Sequence, residues 1–288
     1  MMYLKEEKNI RFLMLSLAVG LGPVSQNLLL RLCGDIETCF QTAEEDLFGA
    51  ARAYSWHGQH LGSARIRAFV DQRESPQLKQ KAEQTAKQAE RAGVQILTNA
   101  DEEYPRRFED LPDMPVVLYL KGKLCINRYQ QSVGIIGARR CSGEGKQQAI
   151  VAAADAVRNH AAIISGMAKG IDSYAHTAAV KEKGYTIAVL GNGPDICYPK
   201  EHQALYEAII DTGCILSEYP PGTAPRNYSF PRRNRLIAAL SDRLYVIEAG
   251  RNSGTQSTVA GCEKYGKPVV SGIDLNLTDL SGIDKMRT

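Results

Sequence analysis

The 288-residue sequence lacks any apolar run of the roughly 18 residues that a membrane-spanning helix needs. Its longest candidate, 12–21, follows Lys5, Glu6, Glu7, Lys8 and Arg11 and has no small-residue cleavage site behind it, so neither a span nor a signal peptide is expected. Charge of one sign is also missing. The 35 Lys and Arg against 32 Asp and Glu leave a net charge of +3, so any surface for a polyanion must come from local clustering. The seven cysteines (Cys33, Cys39, Cys125, Cys141, Cys197, Cys214 and Cys262) form no C-x-x-C pair. That argues against a zinc site or a disulfide framework and suits a reducing cytosol, where we expect the protein to reside. The five histidines are scattered, and neither a Ser–His–Asp set, a Cys–His set nor a poised carboxylate pair can be assembled from the pattern. No catalytic residue, metal or cofactor is expected on these grounds.

What is present divides near residue 90. The first part, 1–90, reads as a small all-α domain. Apolar helices around 10–17 and 28–32 flank the break Gly20-Leu-Gly22-Pro23, and Cys33-Gly34 closes the second. Such a turn is either a helix-hairpin-helix (or SAM-like) element whose amides meet DNA phosphates or a plain helical turn; it carries no Lys or Arg. Residues 63–92 have high helix propensity and weak amphipathicity, which predicts an exposed or bridging helix. Short strands are expected at 94–97 and 116–120.

From residue 132 a regular alternation begins. Apolar runs at 133–136, 162–164, 186–190, 214–216, 244–247 and 268–270 are short, rich in Val and Ile and not alternating, as strands buried on both faces are. Helical stretches at 143–159, 172–183, 201–212, 231–240 and 255–266 separate them. The pattern predicts an α/β, Rossmann-like, doubly wound and mostly parallel sheet over 91–288, with ligands at the carboxyl ends of its strands.

The loops at those ends carry the candidate chemistry. Gly137 to Gly145 is glycine-rich but matches neither G-x-G-x-x-G nor a Walker sequence; Arg139 at its tip either holds a phosphate or caps the sheet edge. The segment SGMAKGID at 165–172 places Ser165, Gly166 and Gly170 where backbone N–H groups could converge on an anion beside Lys169, or where a tight strand–helix turn exposes a lysine. Asp172 and His176 stand four apart; a capping Asp and a buried His account for them better than a metal pair. Arg226, Arg232, Arg233 and Arg235 lie within ten residues beside Asn234, Tyr228 and Phe230. Cations interleaved with aromatics suit single-stranded nucleic acid, unless Phe230 is core and the arginines pair with Glu218 or Asp242. Ser253, Gly254 and Thr255 open a helix as a third phosphate cradle, and Glu248 reads as a structural partner of a nearby arginine.

Several of these segments, in this order, resemble the DNA-processing protein A (DprA, or Smf) family: Gly137-Ala-Arg139, SGMAKGID with His176, the run from Thr186 to Gly193, Tyr198-Pro199, Leu216 to Tyr219, FPRRNRLI at 230–237, and Ser253-Gly-Thr255. Upstream, Tyr104-Pro105, Leu111 to Pro115 and Leu118 to Gly122 look like the family's lead-in. The resemblance implies a protein that binds and protects single-stranded DNA in natural transformation and recombination, helps load the RecA recombinase and dimerises through the Rossmann-like domain. It implies phosphate clamps at Arg139 and Lys169, a place for Phe230 beside the DNA groove, and a basic pocket containing Arg233 and Arg235. Three features depart from the family pattern. Ala138 stands where a serine is common, Asn227 replaces a frequent basic residue, and the sequence as it stands leaves no room for a winged helix after Thr288. The alternative is a nucleoside-monophosphate phosphoribohydrolase-like enzyme on a related fold, with Glu248 in its site; its usual Gly-Gly-x-Gly-Thr is only partly matched by 251–255.

Overall fold

The computed structural model describes residues 2–249 and 254–271, which form two compact units. The first comprises the described residues up to 120 with the short loops 193–195 and 218–223; the second comprises the other described residues.

In the first unit, helices α1 (Met2–Leu17), α2 (Pro23–Cys33), α3 (Ile36–Gln41), α4 (Glu44–Ala53), α5 (Ser63–Arg73) and α6 (Pro76–Arg91) precede strands β1 (Gln95–Thr98) and β2 (Val117–Gly122). The starts and stops follow local chemistry. Pro23 sits in the first turn of α2, and Gly34, at φ +87°, closes it by donating to the Leu30 carbonyl. Asp35 caps α3 through Thr38 N–H, and Ser75 caps α6 through Leu78 N–H. Phe12, Leu13, Leu15, Leu28, Leu29, Ile66 and Phe69 form the core. The polar stretch from residue 63 is two helices, and α6 buries only Ala82 and Ala89, against α1. β1 and β2 pair antiparallel, Gln95 opposite Leu120. At the Gly20-Leu-Gly22 break, Gln72 bonds both Val19 N–H (2.8 Å) and Val19 C=O (2.9 Å), and Arg65 donates to the Gly20 carbonyl. These bonds hold the turn to α5.

In the second unit, β3 (Ser132–Gly137), α7 (Gly143–Arg158), β4 (Ala162–Ser165), α8 (Ile171–Lys181), β5 (Thr186–Leu190), α9 (Gln203–Thr212), β6 (Cys214–Ser217), α10 (Ser229–Leu240), β7 (Arg243–Ile247), α11 (Gln256–Lys264) and β8 (Val269–Ser271) alternate without interruption. The strands pair in parallel in the order β6-β5-β4-β3-β7-β8. This is the doubly wound α/β sheet, and its strands β3 to β6 are buried along nearly their whole length. Alanines 149, 152, 153 and 156 of α7 and 175, 178 and 179 of α8 let these helices pack closely on Val133, Ile135 and Ile163. Strand order runs outward from β3 to β6, then returns to β7 on the other side of β3. The switch therefore lies between β3 and β7, where a crevice opens beyond the strand ends.

Candidate nucleic-acid interface

The loops at this switch clasp one another. β3 ends at Gly137, where a Cβ would lie 1.8 Å from the Ile247 carbonyl oxygen of β7, so only glycine allows the approach. Gly170, at φ +77°, lies against the loop that follows β3: a Cβ there would be 2.2 Å from the Ala138 carbonyl oxygen. The same carbonyl accepts Ile171 N–H at 3.2 Å. With the two loops locked, Arg139 and Lys169 are left exposed. Lys169 Nζ stands 2.5 Å from Glu201 Oε1, both side chains about half exposed, and that lysine holds the Glu201 carboxyl below its ordinary pKa.

The interior of the 165–172 turn differs from the expected anion nest. The Asp172 carboxylate, in the first turn of α8, accepts Gly166 N–H at 3.1 Å and Ala168 N–H at 3.4 Å. The nest is thus filled by the chain's own carboxylate. Ser165 is fully buried, and its hydroxyl donates to the Ile135 carbonyl at 2.6 Å. Ser165, Gly166 and Gly170 shape the loop and leave phosphate contact to the side chains beside it. Burial raises the Asp172 pKa, and Arg233 and the two loop amides oppose the rise.

Arg233 is a second correction. Expected in an open basic pocket, it is only 5% exposed. Its guanidinium donates to the Gly166 carbonyl at 2.9 Å and to the Val189 carbonyl, and its Nε to Asn234 Oδ1 at 3.0 Å. A Cβ on Gly166 would lie 2.7 Å from this guanidinium. Arg233 therefore ties α10 to the ends of β4 and β5. His176 lies fully buried, its Nδ1 2.7 Å from Thr186 Oγ1. The Thr186 hydroxyl donates its proton to the Ile163 carbonyl, so His176 Nδ1 carries the hydrogen and donates to Thr186. Burial first, then Arg233 and His202, lower the His176 pKa to about 3. Both Asp172 and His176 thus have the structural roles favoured from their spacing.

Asn234 joins the middle of α10 to the start of α11. Its Nδ2 donates to the Gly254 carbonyl (3.0 Å) and to Ser257 Oγ (2.8 Å) at the head of α11. Arg235 turns back to donate to the Arg232 carbonyl at 2.8 Å, while Arg226 and Arg232 are exposed. Thr255 is buried at the N-terminus of α11 and Gly254 exposed beside it; Ser253 lies outside the described residues. Glu248, at φ +55°, accepts Ser142 N–H at 2.7 Å rather than being positioned by an arginine of the preceding segment.

These elements surround an open pocket of about 520 Å³ at the carboxyl ends of β3 and β7. Gly137, Arg139, Phe230, Arg233, Asn234, Gly254 and Thr255 all line it; Lys169, Arg226, Arg232 and Arg235 do not. Asp172, Asn227 and Tyr198 line it as well, and Tyr198 stacks on Phe230 with ring centroids 5.5 Å apart and planes 25° from parallel. From its own residues the sequence marks Tyr198 only as a helix start, and the family resemblance includes Tyr198-Pro199 without assigning the ring a role. Among the described residues no group of three or more His, Cys, Asp or Glu side chains could hold a metal ion, and no helix is long and apolar enough to cross a membrane.

Residues 95–281, which carry all of these loops, match the profile of the family DNA recombination-mediator protein A. The chain belongs to that family. Among members of the DNA recombination-mediator protein A family and their relatives, it is 39% identical to Protein Smf of Synechocystis over 62% of this chain and 45% of that protein. It is 38% identical to DNA processing protein DprA of Streptococcus pneumoniae over 59% of each. The chain thus spans about half the length of the curated relatives it matches. The crystal structure of the Streptococcus pneumoniae DprA superposes with a TM-score of 0.71 at 28% identity, covering 95% of this chain and 91% of that one. A structure describing the single-stranded DNA binding mode of DNA processing protein A from Helicobacter pylori gives a TM-score of 0.58 at 34% identity, covering 64% and 82%.

Proposed function

We propose that this protein binds single-stranded DNA in natural transformation and recombination, protects it, and helps load RecA, without breaking a bond in the strand. We propose further that it works as a homodimer in the cytoplasm, with 1–90 as a helical domain and 91–288 as the DNA-binding domain. The observation that carries the reading is the switch-point pocket. Exposed Arg139 lines it, an aromatic pair is stacked at it, and Lys169 projects from the adjoining loop. A phosphate chain is held by such side-chain cations, and its bases by π-faces. The single-stranded DNA binding described for the Helicobacter pylori relative supports the same reading. Glu248, the candidate acid of the enzyme alternative, accepts Ser142 N–H and so has a structural contact of its own.

Fluorescence anisotropy with labelled oligo-dT tests this. Submicromolar binding is expected of the native chain. Arg139→Ala and Lys169→Ala each weaken it by roughly two- to five-fold, the scale of one exposed ion pair. Glu201→Gln, which frees Lys169 from its carboxylate partner, strengthens it. Native affinity in both alanine variants would contradict the assignment.

A further inference from the structure

We propose that Tyr198, rather than Phe230, is the surface on which a nucleobase of the bound strand stacks, with Phe230 as its backing plate. This rests on the single-stranded DNA reading above and adds a base-contacting residue to it.

Phe230 is half-buried and enclosed from two directions. Tyr198 lies over it at 5.5 Å and 25°, and the Gly191 backbone passes so close that a Cβ there would sit 2.9 Å from the Phe230 ring edge. A base approaching from solvent therefore meets Tyr198 first. Tyr198 is 44% exposed, and among the large apolar or aromatic side chains of the described residues only Val19 and Tyr228 are more so. Next along the chain, Pro199 has no backbone rotation about φ to lose and leads into the helical turn Lys200–His202. A tyrosine ring backed by a second ring loses little side-chain freedom when a third plane is added, and every base has a face to offer it. Arg139 lines the same pocket, which puts a phosphate contact and a stacking face on one site.

The test compares oligo-dT with an abasic oligonucleotide of equal length, which keeps the phosphates and removes the bases. The native chain is expected to prefer oligo-dT by about ten-fold, in the range of one base–aromatic stack. In Tyr198→Ala the two affinities converge; in Tyr198→Phe the preference stays, because the ring is retained and only the hydroxyl is lost. Tyr198→Ala that keeps the native preference overturns the proposal, and so does a native chain that binds both strands equally. Loss of the preference in Phe230→Ala alone gives the platform to Phe230 and also overturns it. A native chain that binds neither strand overturns the single-stranded DNA reading itself, a result distinct from binding without base preference.

Discussion

At the scale of single residues, Arg233 and Asp172 hold the site together. Their charges oppose one another across the Gly166 turn, each also bonded to its backbone. Arg233→Ala leaves the Gly166 and Val189 carbonyls without their buried donor and is expected to cost about 2–5 kcal/mol, read as a fall in the urea midpoint. His176 sets a pH dependence. Its folded pKa, about 3, lies below its ordinary 6.5, so the stability it contributes is complete above pH 6.5 and is lost as pH falls toward 3. Asp172, raised above 3.8, acts in the opposite sense: it favours the folded state when protonated and less as pH rises through its folded value. The His176 contribution amounts to about 2 kcal/mol between pH 6.5 and 5. Urea unfolding of the native chain across that window should show this loss, and His176→Gln should flatten it; an equal slope in both would remove His176 as the cause. These roles were only half legible in the sequence. Spacing assigned Asp172 and His176 to scaffolding, but a run of arginines does not say which one turns inward. Arg233 does so because its helix position faces the Gly166 turn, a contact 67 residues away in sequence.

At the scale of elements, the join between α10 and α11 depends on Asn234, which links the middle of α10 to the start of α11. Asn234→Ala removes both of these bonds and the acceptor of Arg233 Nε, and is expected to cost about 2–4 kcal/mol, since each of the three is worth about 1 kcal/mol or somewhat more. It should also weaken oligo-dT binding by displacing Gly254 and Thr255 from the pocket. Native affinity at reduced stability would separate that joint from the site. The sheet itself was plain in the sequence: β5 has the predicted bounds, and the other five parallel strands lie within two residues of theirs. Buried strands made of unbroken Val and Ile runs leave little ambiguity. The first unit was harder to read, because α3 and α4 are short, six and ten residues, and carry few apolar positions to set a period. The anion nest at 165–172 was misread for a related reason. Glycine spacing predicts converging amides, but not that a carboxylate one turn later in the same segment fills them.

At the scale of the whole chain, a net charge of +3 supplies little long-range attraction for a polyanion. On the proposed function, binding would depend on a few well-placed cations at the switch point, among which Arg139 and Lys169 are exposed. Each phosphate they neutralise releases counterions, which makes affinity fall with salt in proportion to the number of contacts. The most direct measurement is the slope of log affinity for oligo-dT against log salt concentration, for the native chain and for Arg139→Ala combined with Lys169→Ala. The account predicts a clearly negative slope that becomes shallower by about 1.4, roughly 0.7 for each contact removed on a single strand. A native slope near zero, or an identical slope in the double variant, would contradict it.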